Sequence, residues 1–321
     1  MSSHTEPLDF NLNKCFLTGA PLSGPRQEIN IFPEWLLGRY QLNGKLFKLL
    51  EGTMLPYQEL KVPCSPEAFN AITPLEDRIQ KAFTEGYDAV KALPEEILFQ
   101  WMAEIVFGIA YLDISIAAER EMKRGGGFQL PAPLLRRLSH LRLMLQSLVV
   151  PTDFEGQKPW SIAVFKVNYS KDIFNFRDDP INLFFSLGIN GFGIVACLGD
   201  NGAVQAAEQP LLDKLVNKTL HPVQFEEVCA RFVYRNYLLK TQQEYAVDMV
   251  DGKRIVRPSA TENAGFHPWS NDMFSQLLAE YWKPWGLEKK DIIRFAEAPI
   301  SYLQNEYTNQ IVEPESIGLP F

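Results

Sequence analysis

The first part of the chain alternates short apolar segments with turn residues. Residues 28–32 alternate apolar and polar side chains, which predicts a short β-strand. Pro33 follows where a helix can begin, because a first helical turn does not need its missing N–H donor. Residues 45–63 predict a hairpin that turns at Glu51 and Gly52. The turn-rich residues 20–26 predict a short hairpin before the strand at 28–32, so hairpin, strand and helix make a small β-β-α arrangement.

The pattern then changes to that of long helices. Residues 94–124 predict one helix, which is apolar almost all round between Ile97 and Ile116. A helix without a polar face is usually buried at the centre of a helical layer. Residues 131–149 predict a second helix with a leucine stripe on one side. These two helices are the predicted helical pair.

After residue 151 the period shortens to two, which predicts strands in residues 160–169, 172–189 and 191–206. Asn-Gly at 190–191 and Asp-Asn-Gly at 200–202 predict hairpin turns, because these residues tolerate positive φ. The result is an antiparallel meander. Further helices are predicted in residues 222–239, 269–283 and 286–307, with a hairpin in 242–258.

These elements predict an α+β fold. We expect an N-terminal β-β-α region in residues 1–90. Residues 91–321 are expected to contain the long central helices and an antiparallel sheet with flanking helices, packed with the first region as one unit.

Charge and composition narrow the functional classes. The chain has 321 residues, a net charge of −8 and a pI of about 5.2. An acidic chain gains little from counterion release, so general nucleic-acid binding is disfavoured unless basic residues cluster. Arg136, Arg137 and His140 form one such cluster and are a candidate binding group, although an exposed charged helix face is the alternative.

The cysteines and the apolar segments indicate a cellular compartment. None of the four cysteines forms a C-x-x-C pair, so free buried thiols in a reducing cytosol are expected. We find no signal-peptide pattern and no uninterrupted apolar run long enough for a membrane helix. The prediction is a cytoplasmic protein without a membrane partner, with a protein partner or a homo-oligomer as open alternatives.

Three segments carry a family resemblance: KCFLTG at residues 14–19, NIFPEWLLGRYQL at 30–42 and VPCSPEAFN at 62–70. Their order resembles the pattern of an HNH-type (ββα-metal) endonuclease-like family of bacterial proteins. The resemblance covers roughly residues 14–80. It implies a structural zinc held by four cysteines, a histidine general base, and a carboxylate and an asparagine or histidine that hold a divalent metal.

This chain departs from the zinc pattern that the resemblance implies. Cys15 and Cys64 match two of the four thiolates. Thr18 occupies the second position, and Ser65 or Ala68 stands where another ligand belongs. Because a closed structural zinc site needs four ligands, no metal and no cofactor are expected, and the two cysteines are remnant ligands.

The catalytic positions of the family are also altered. Asn30 stands where the resemblance places the base, and an amide cannot take a proton at neutral pH. Ile29 aligns with the metal carboxylate, although Glu28 is one residue away, and Asn70 matches the final asparagine. Glu28, Asn30 and Asn70 are therefore remnant positions of a catalytic site.

Two acidic residues in the long apolar helix are a further candidate. A buried carboxylate there needs a partner or must stay protonated. We expect Glu104 and Asp113 to lie at a rim or to pair with an arginine.

Three hypotheses for the function follow. The leading one is a catalytically inactive HNH-like homologue that acts as a binding or interaction module. The second is an active divalent-metal-dependent nuclease with a relocated base. The third is an unrelated enzyme whose pocket lies between the helical pair and the sheet.

Overall fold

Helices and mainly antiparallel strands make up the fold, so the α+β prediction is confirmed. The structure is a computed structural model. It describes residues 8–22, 27–241, 243–259, 265–295, 298–305 and 307–319.

In the N-terminal region the described residues form short strands and helices in the order β-α-β-β-β-α-α. Its elements are β1 (Glu28–Asn30), α1 (Glu34–Arg39), β2 (Leu46–Lys48), β3 (Met54–Pro56), β4 (Lys61–Pro63), α2 (Pro66–Glu85) and α3 (Tyr87–Lys91). Strands β1 and β4 pair antiparallel, and β2 and β3 form the predicted hairpin. The Ser65 hydroxyl accepts the Ala68 N–H at 3.3 Å, so it caps α2 directly after β4.

Two helices follow, α4 (Glu95–Lys123) and α5 (Ala132–Leu145). Every residue of α4 from Leu98 to Ser115 is buried, which confirms the prediction from its all-round apolar pattern. Within the described ranges α4 alone has the length and composition to span a membrane, but 89% of its apolar window is buried inside the protein.

A five-stranded sheet forms the middle of the molecule. The next elements are β5 (Thr152–Phe154), β6 (Ser161–Val167), β7 (Phe174–Asp179), β8 (Phe184–Ile189), β9 (Phe192–Cys197), α6 (Ala203–Leu215), β10 (Thr219–Leu220) and α7 (Pro222–Tyr237). The strand order is β10-β6-β9-β8-β7, with β7 at one edge. The predicted meander is antiparallel, and β10 joins β6 in parallel.

The prediction of a hairpin at residues 200–202 is wrong, because helix α6 begins there. The buried Asp200 carboxylate accepts the N–H of Val204 at 2.8 Å and the Ser161 hydroxyl at 2.6 Å. Asp200 lies two residues before the N-cap Gly202 and satisfies a backbone N–H of the first helical turn, so the same turn residues lead into a helix instead of a strand.

The C-terminal part adds a second small sheet and one long helix. Its elements are β11 (Tyr245–Val250), β12 (Lys253–Pro258), α8 (Asn271–Trp282), α9 (Lys289–Ile292), β13 (Ile293–Phe295) and β14 (Ala298–Pro299). Strands β11 and β12 form the predicted hairpin, and β5 adds to β12 in parallel.

The predicted helix at residues 286–307 is wrong for the residues that the structure describes. Only the four residues of α9 are helical there, and β13 and β14 follow. The buried Glu227 carboxylate accepts the N–H groups of Tyr302 and Leu303 at 2.8 and 3.1 Å. These backbone donors are therefore satisfied by a side chain from α7 and not by a helix.

The central sheet is covered on both faces. Side chains of one face, such as Ile162 and Ile194, join a core with α2, α4 and α5. Side chains of the other face, such as Phe165 and Val195, join a core with α6, α7 and α8. The first core runs from Leu8 to Leu198, so it includes residues from both predicted regions.

Two glycines let large rings lie against the second face of the sheet. Gly188 in β8 and Gly193 in β9 are direct cross-strand partners. A Cβ atom at Gly188 would lie 2.3 Å from the Tyr169 ring, and one at Gly193 would lie 2.5 Å from the Phe225 ring. Since no side-chain atom approaches that closely, the glycine pair is what allows α7 and Tyr169 to pack here.

We expect Gly193→Ala to destabilise the protein by about 1–3 kcal/mol, because the buried Phe225 ring has to move. Gly38→Ala is the matched control, since Gly38 lies in α1 and a Cβ there meets no atom within 4 Å. Urea unfolding measures both free energies of unfolding. Equal stabilities of the two variants would contradict the packing argument.

Candidate functional site

The structure brings together the two separated segments of the zinc-like motif. Cys15 lies in a tight turn, in which the Thr18 N–H donates to the Cys15 sulfur at 3.5 Å. Cys64 follows β4; its thiol donates to the Ser65 carbonyl at 3.4 Å, and its side chain lies beside that of Cys15. The side chains of Thr18 and Ser65 also lie beside the Cys15 sulfur. All four positions therefore meet around one sulfur atom.

These residues do not fit a structural zinc ion. The cluster offers two thiols and two hydroxyls, and a neutral hydroxyl is a poor ligand for zinc. Across the described ranges, no three His, Cys, Asp or Glu side chains are arranged to hold a metal ion. The neighbouring Cys64 side chain lowers the pKa of the Cys15 thiol, and Cys15 together with burial raises the pKa of Cys64.

All four cysteines are free and buried, as the sequence predicted. The remnant catalytic positions, in contrast, do not form a cluster. The Asn30 amide donates to Glu34 at 3.5 Å. Glu28 begins β1 with an exposed side chain, and Asn70 is exposed on α2. In the described part of the chain, no hydrogen bond joins Asn30 to Asn70 or to Glu28.

Glu104 does not have the arginine partner or the rim position that we predicted. Only 2% of Glu104 is exposed, and neither carboxylate oxygen has a hydrogen-bond partner among the described residues. Burial, followed by repulsion from Glu76, raises the pKa of Glu104 well above the usual range. Burial, followed by repulsion from Asp77 and Glu34, raises the pKa of Glu76 to about 7. Glu104 is therefore held in its neutral form.

Asp113 is also buried, with 4% of its surface exposed. Its carboxylate accepts the backbone N–H of Leu50 at 3.1 Å and of Glu51 at 3.5 Å. The expected arginine pairing or rim position is therefore wrong for Asp113 too, since backbone donors satisfy it. This contact fixes the loop after β2 onto α4.

The cationic group on α5 is bonded to other residues of the protein. Arg136 donates to Glu244 at 2.7 Å, and His140 lies 3.8 Å from the same carboxylate. Arg137 donates to the Ile181 carbonyl and to the Asn182 side chain, both at 3.1 Å. Burial lowers the pKa of His140, with Glu244 opposing it. The adjoining cavity measures about 70 Å³.

A much larger cavity lies at the edge strand β7, on the face of the sheet opposite the helical pair. Its volume is about 720 Å³. Four residues form the apolar part of its lining. Ile173 directly precedes β7, Pro222 begins α7, and Pro284 and Trp285 lie in the turn after α8. The polar part contains Asn168, Tyr169, Ser170, Asn175, Arg177 and Glu226.

The polar lining is a connected hydrogen-bond network centred on a buried carboxylate. Arg177 Nε donates to Glu226 Oε2 at 2.9 Å, and the Tyr169 hydroxyl donates to Oε1 at 3.4 Å. The Asn175 amide donates to Glu226 Oε1 and, at 2.9 Å, to the Tyr169 oxygen. The Arg177 guanidinium also lies over the Tyr281 ring, 4.5 Å from its centroid. Each side chain is thus held by at least two contacts.

The charge of Arg177 balances that of the buried Glu226 at the centre of this network. Burial raises the pKa of Glu226, while the Arg177 charge and the hydrogen bonds from Asn175 lower it. Burial also raises the pKa of Tyr169, so the phenol keeps its proton and can donate. An ion pair with a buried carboxylate and satisfied hydrogen bonds is preorganised and can orient a polar ligand group at little further cost.

The side chains of β7 alternate between the two faces of the sheet, and this alternation is the sequence signal from which the site could have been predicted. Phe174 and Phe176 point to the first core, where Phe176 packs edge-on against Phe32 at 5.1 Å. Asn175 and Arg177 therefore point to the opposite face, towards α7. The period of residues 172–189 predicts only a strand, and a single glutamate at position 226 within a predicted helix has no periodic signal.

Comparisons with family models, with curated proteins and with solved structures found no match. The HNH-like resemblance, the cytoplasmic location and the protein partner or homo-oligomer therefore stay predictions. The fold and the site geometry define the molecule as an α+β protein with a polar-centred cavity at a sheet edge.

We expect Glu104→Gln to flatten the pH dependence of stability. In the wild type the unfolded chain releases the Glu104 proton near the ordinary pKa, while the folded protein keeps it because burial raises that pKa. The folded state then binds more protons, so stability falls with rising pH by about 1.4 kcal/mol per pH unit for this group. Urea unfolding between pH 5 and 7 measures the slope.

Glu119→Gln serves as the control, since Glu119 lies on the same helix but is exposed. Identical slopes for Glu104→Gln and the wild type would show that Glu104 is not held neutral by burial.

Proposed function

We propose that this protein is a ligand-binding module without nuclease chemistry, and that the cavity at β7 is its binding site. The observation that carries the proposal is the ion pair between the half-buried Arg177 and the buried Glu226 on the wall of a cavity of about 720 Å³. This volume falls within the range of cavities that hold small molecules, about 300–1,000 Å³.

The lining indicates an amphipathic ligand. Ile173, Pro284 and Trp285 offer an apolar wall against which a flat or aliphatic body can pack. Arg177 uses Nε for Glu226 and Nη2 for the Tyr281 carbonyl at 3.3 Å. No described residue accepts from its Nη1, so this nitrogen can donate to a carboxylate or carbonyl of the ligand.

The N-terminal region supports the absence of nuclease chemistry in this proposal. Asn30 replaces the base of the family that the sequence resembles, and its amide is bonded to Glu34. His140 and His221 lie elsewhere, on α5 and at the start of α7. We propose that the HNH-like region is retained as a structural element that covers the first face of β7.

Ile173→Asp tests the cavity. Ile173 lines it with 40% of its surface exposed, so the change should leave the core intact. We expect the fluorescent aromatic anion 8-anilinonaphthalene-1-sulfonate to bind the wild type, and the new carboxylate to weaken binding at least about tenfold, which is about 1.4 kcal/mol. Fluorescence titration measures the dissociation constant.

Ile181→Asp is the matched control, because Ile181 is 42% exposed and does not line the cavity. Equal loss in both variants, or no binding by the folded wild type, would overturn the cavity as the binding site.

The resemblance can be tested by rebuilding the zinc ligands. Thr18→Cys with Ser65→Cys places four thiols around the position where two thiols and two hydroxyls now meet. We expect the double variant to retain one zinc ion per chain after dialysis, while the wild type retains none. Elemental analysis measures the metal.

A plasmid-nicking assay with magnesium or manganese accompanies this test. Nicking by the wild type that Asn30→Ala abolishes would favour the nuclease alternative over a binding module. Absence of zinc from the folded double variant would contradict the inherited zinc-site geometry.

A further inference from the structure

The contact between two buried thiols fits a metal other than zinc. We propose that Cys15 and Cys64 bind one monovalent copper ion, Cu(I), as a two-coordinate bis-thiolate. The inference does not rest on the ligand cavity, because these cysteines lie in the N-terminal motif and Arg177 and Glu226 lie on β7 and α7.

The donor set selects the ion. Thiolates are soft ligands that favour Cu(I) and zinc over magnesium, calcium or manganese. Zinc needs four ligands in a closed site, and here the other two groups that contact the Cys15 sulfur are the hydroxyls of Thr18 and Ser65. In the part of the chain that the structure describes, no third His, Cys, Asp or Glu joins the pair to hold a metal. Cu(I) is a closed-shell cation that two thiolates satisfy.

The residues around the two cysteines also suit the negative charge of the copper complex. Two thiols and one Cu(I) give an S–Cu–S unit of charge −1 and release two protons. Cys64 directly precedes Ser65, the N-cap of the 20-residue helix α2, whose positive end favours a negative charge. The Thr18 N–H already donates to the Cys15 sulfur at 3.5 Å, which is the bond that a thiolate strengthens.

The site lies just below the surface. Cys15 and Cys64 are 1% and 0% exposed, while Thr18 and Ser65 beside them are half-buried. The other two cysteines differ in this respect. Cys197 contacts the Phe232 carbonyl at 3.8 Å between the sheet and α7, in the second core. Cys197 therefore serves as a control for a thiol that is buried but lies outside the proposed copper site.

The test is an anaerobic titration of the full chain with Cu(I) against bicinchoninate as competitor. We expect one equivalent to bind, and Cys15→Ser and Cys64→Ser each to weaken binding at least about 100-fold, because one soft ligand remains. Cys197→Ser should bind as the wild type does. Affinity should rise with pH, since binding releases protons. X-ray absorption should show two sulfur neighbours.

The variant Cys197→Ser/Cys229→Ser keeps the test decisive if a site variant fails to fold, because it leaves Cys15 and Cys64 as its sole thiols. Retained binding supports the pair as the site. The proposal is overturned if folded wild type loses copper to the competitor, if Cys15→Ser or Cys64→Ser binds as tightly as the wild type, or if copper has three or more sulfur neighbours.

Discussion

The burial of the central sheet on both faces is the constraint on which the rest of the structure depends. All six residues of β8 and all six of β9 are buried, because helical layers cover both sides. Strands of this kind have no room for unpaired polar groups. The edge strand β7, whose residues are all partly exposed, is where polar side chains can meet solvent and a ligand. The cavity follows from this topology.

Because both faces of the sheet must be covered, the N-terminal region has a structural role that requires no catalytic activity. Phe32 lies in the turn between β1 and α1, and its ring packs edge-on against Tyr57 at 4.9 Å and against Phe176 at 5.1 Å. These rings cover the first face of β7, so its second face can hold Arg177. This apolar surface requires no catalytic side chains, so the region can be retained as structure alone.

Much of the fold could be predicted from the sequence, because long periodic segments report burial directly. The apolar circumference of α4 predicted a core helix, and the turn at Asp251-Gly252 predicted a hairpin. Helix α6 was missed because the turn at Asp200 resembles a hairpin turn in sequence. The meeting of Cys15 with Cys64 was implied by the family resemblance, whereas the Arg177–Glu226 pair joins two distant elements and has no local signature.

Two buried glutamates differ in their hydrogen-bond partners. This difference, and not burial alone, distinguishes a candidate site from a carboxyl group that the fold only tolerates. Glu226 is 1% exposed and accepts hydrogen bonds from a cation, an amide and a phenol, so its charge can persist beside the cavity. Glu104 is similarly buried but has no partner among the described residues, so it stays neutral. A neutral acid in α4 also adds no negative charge next to Cys64, whose pKa an ionised Glu104 would raise further. A neutral Glu104 therefore leaves the thiol pair without this opposing negative charge.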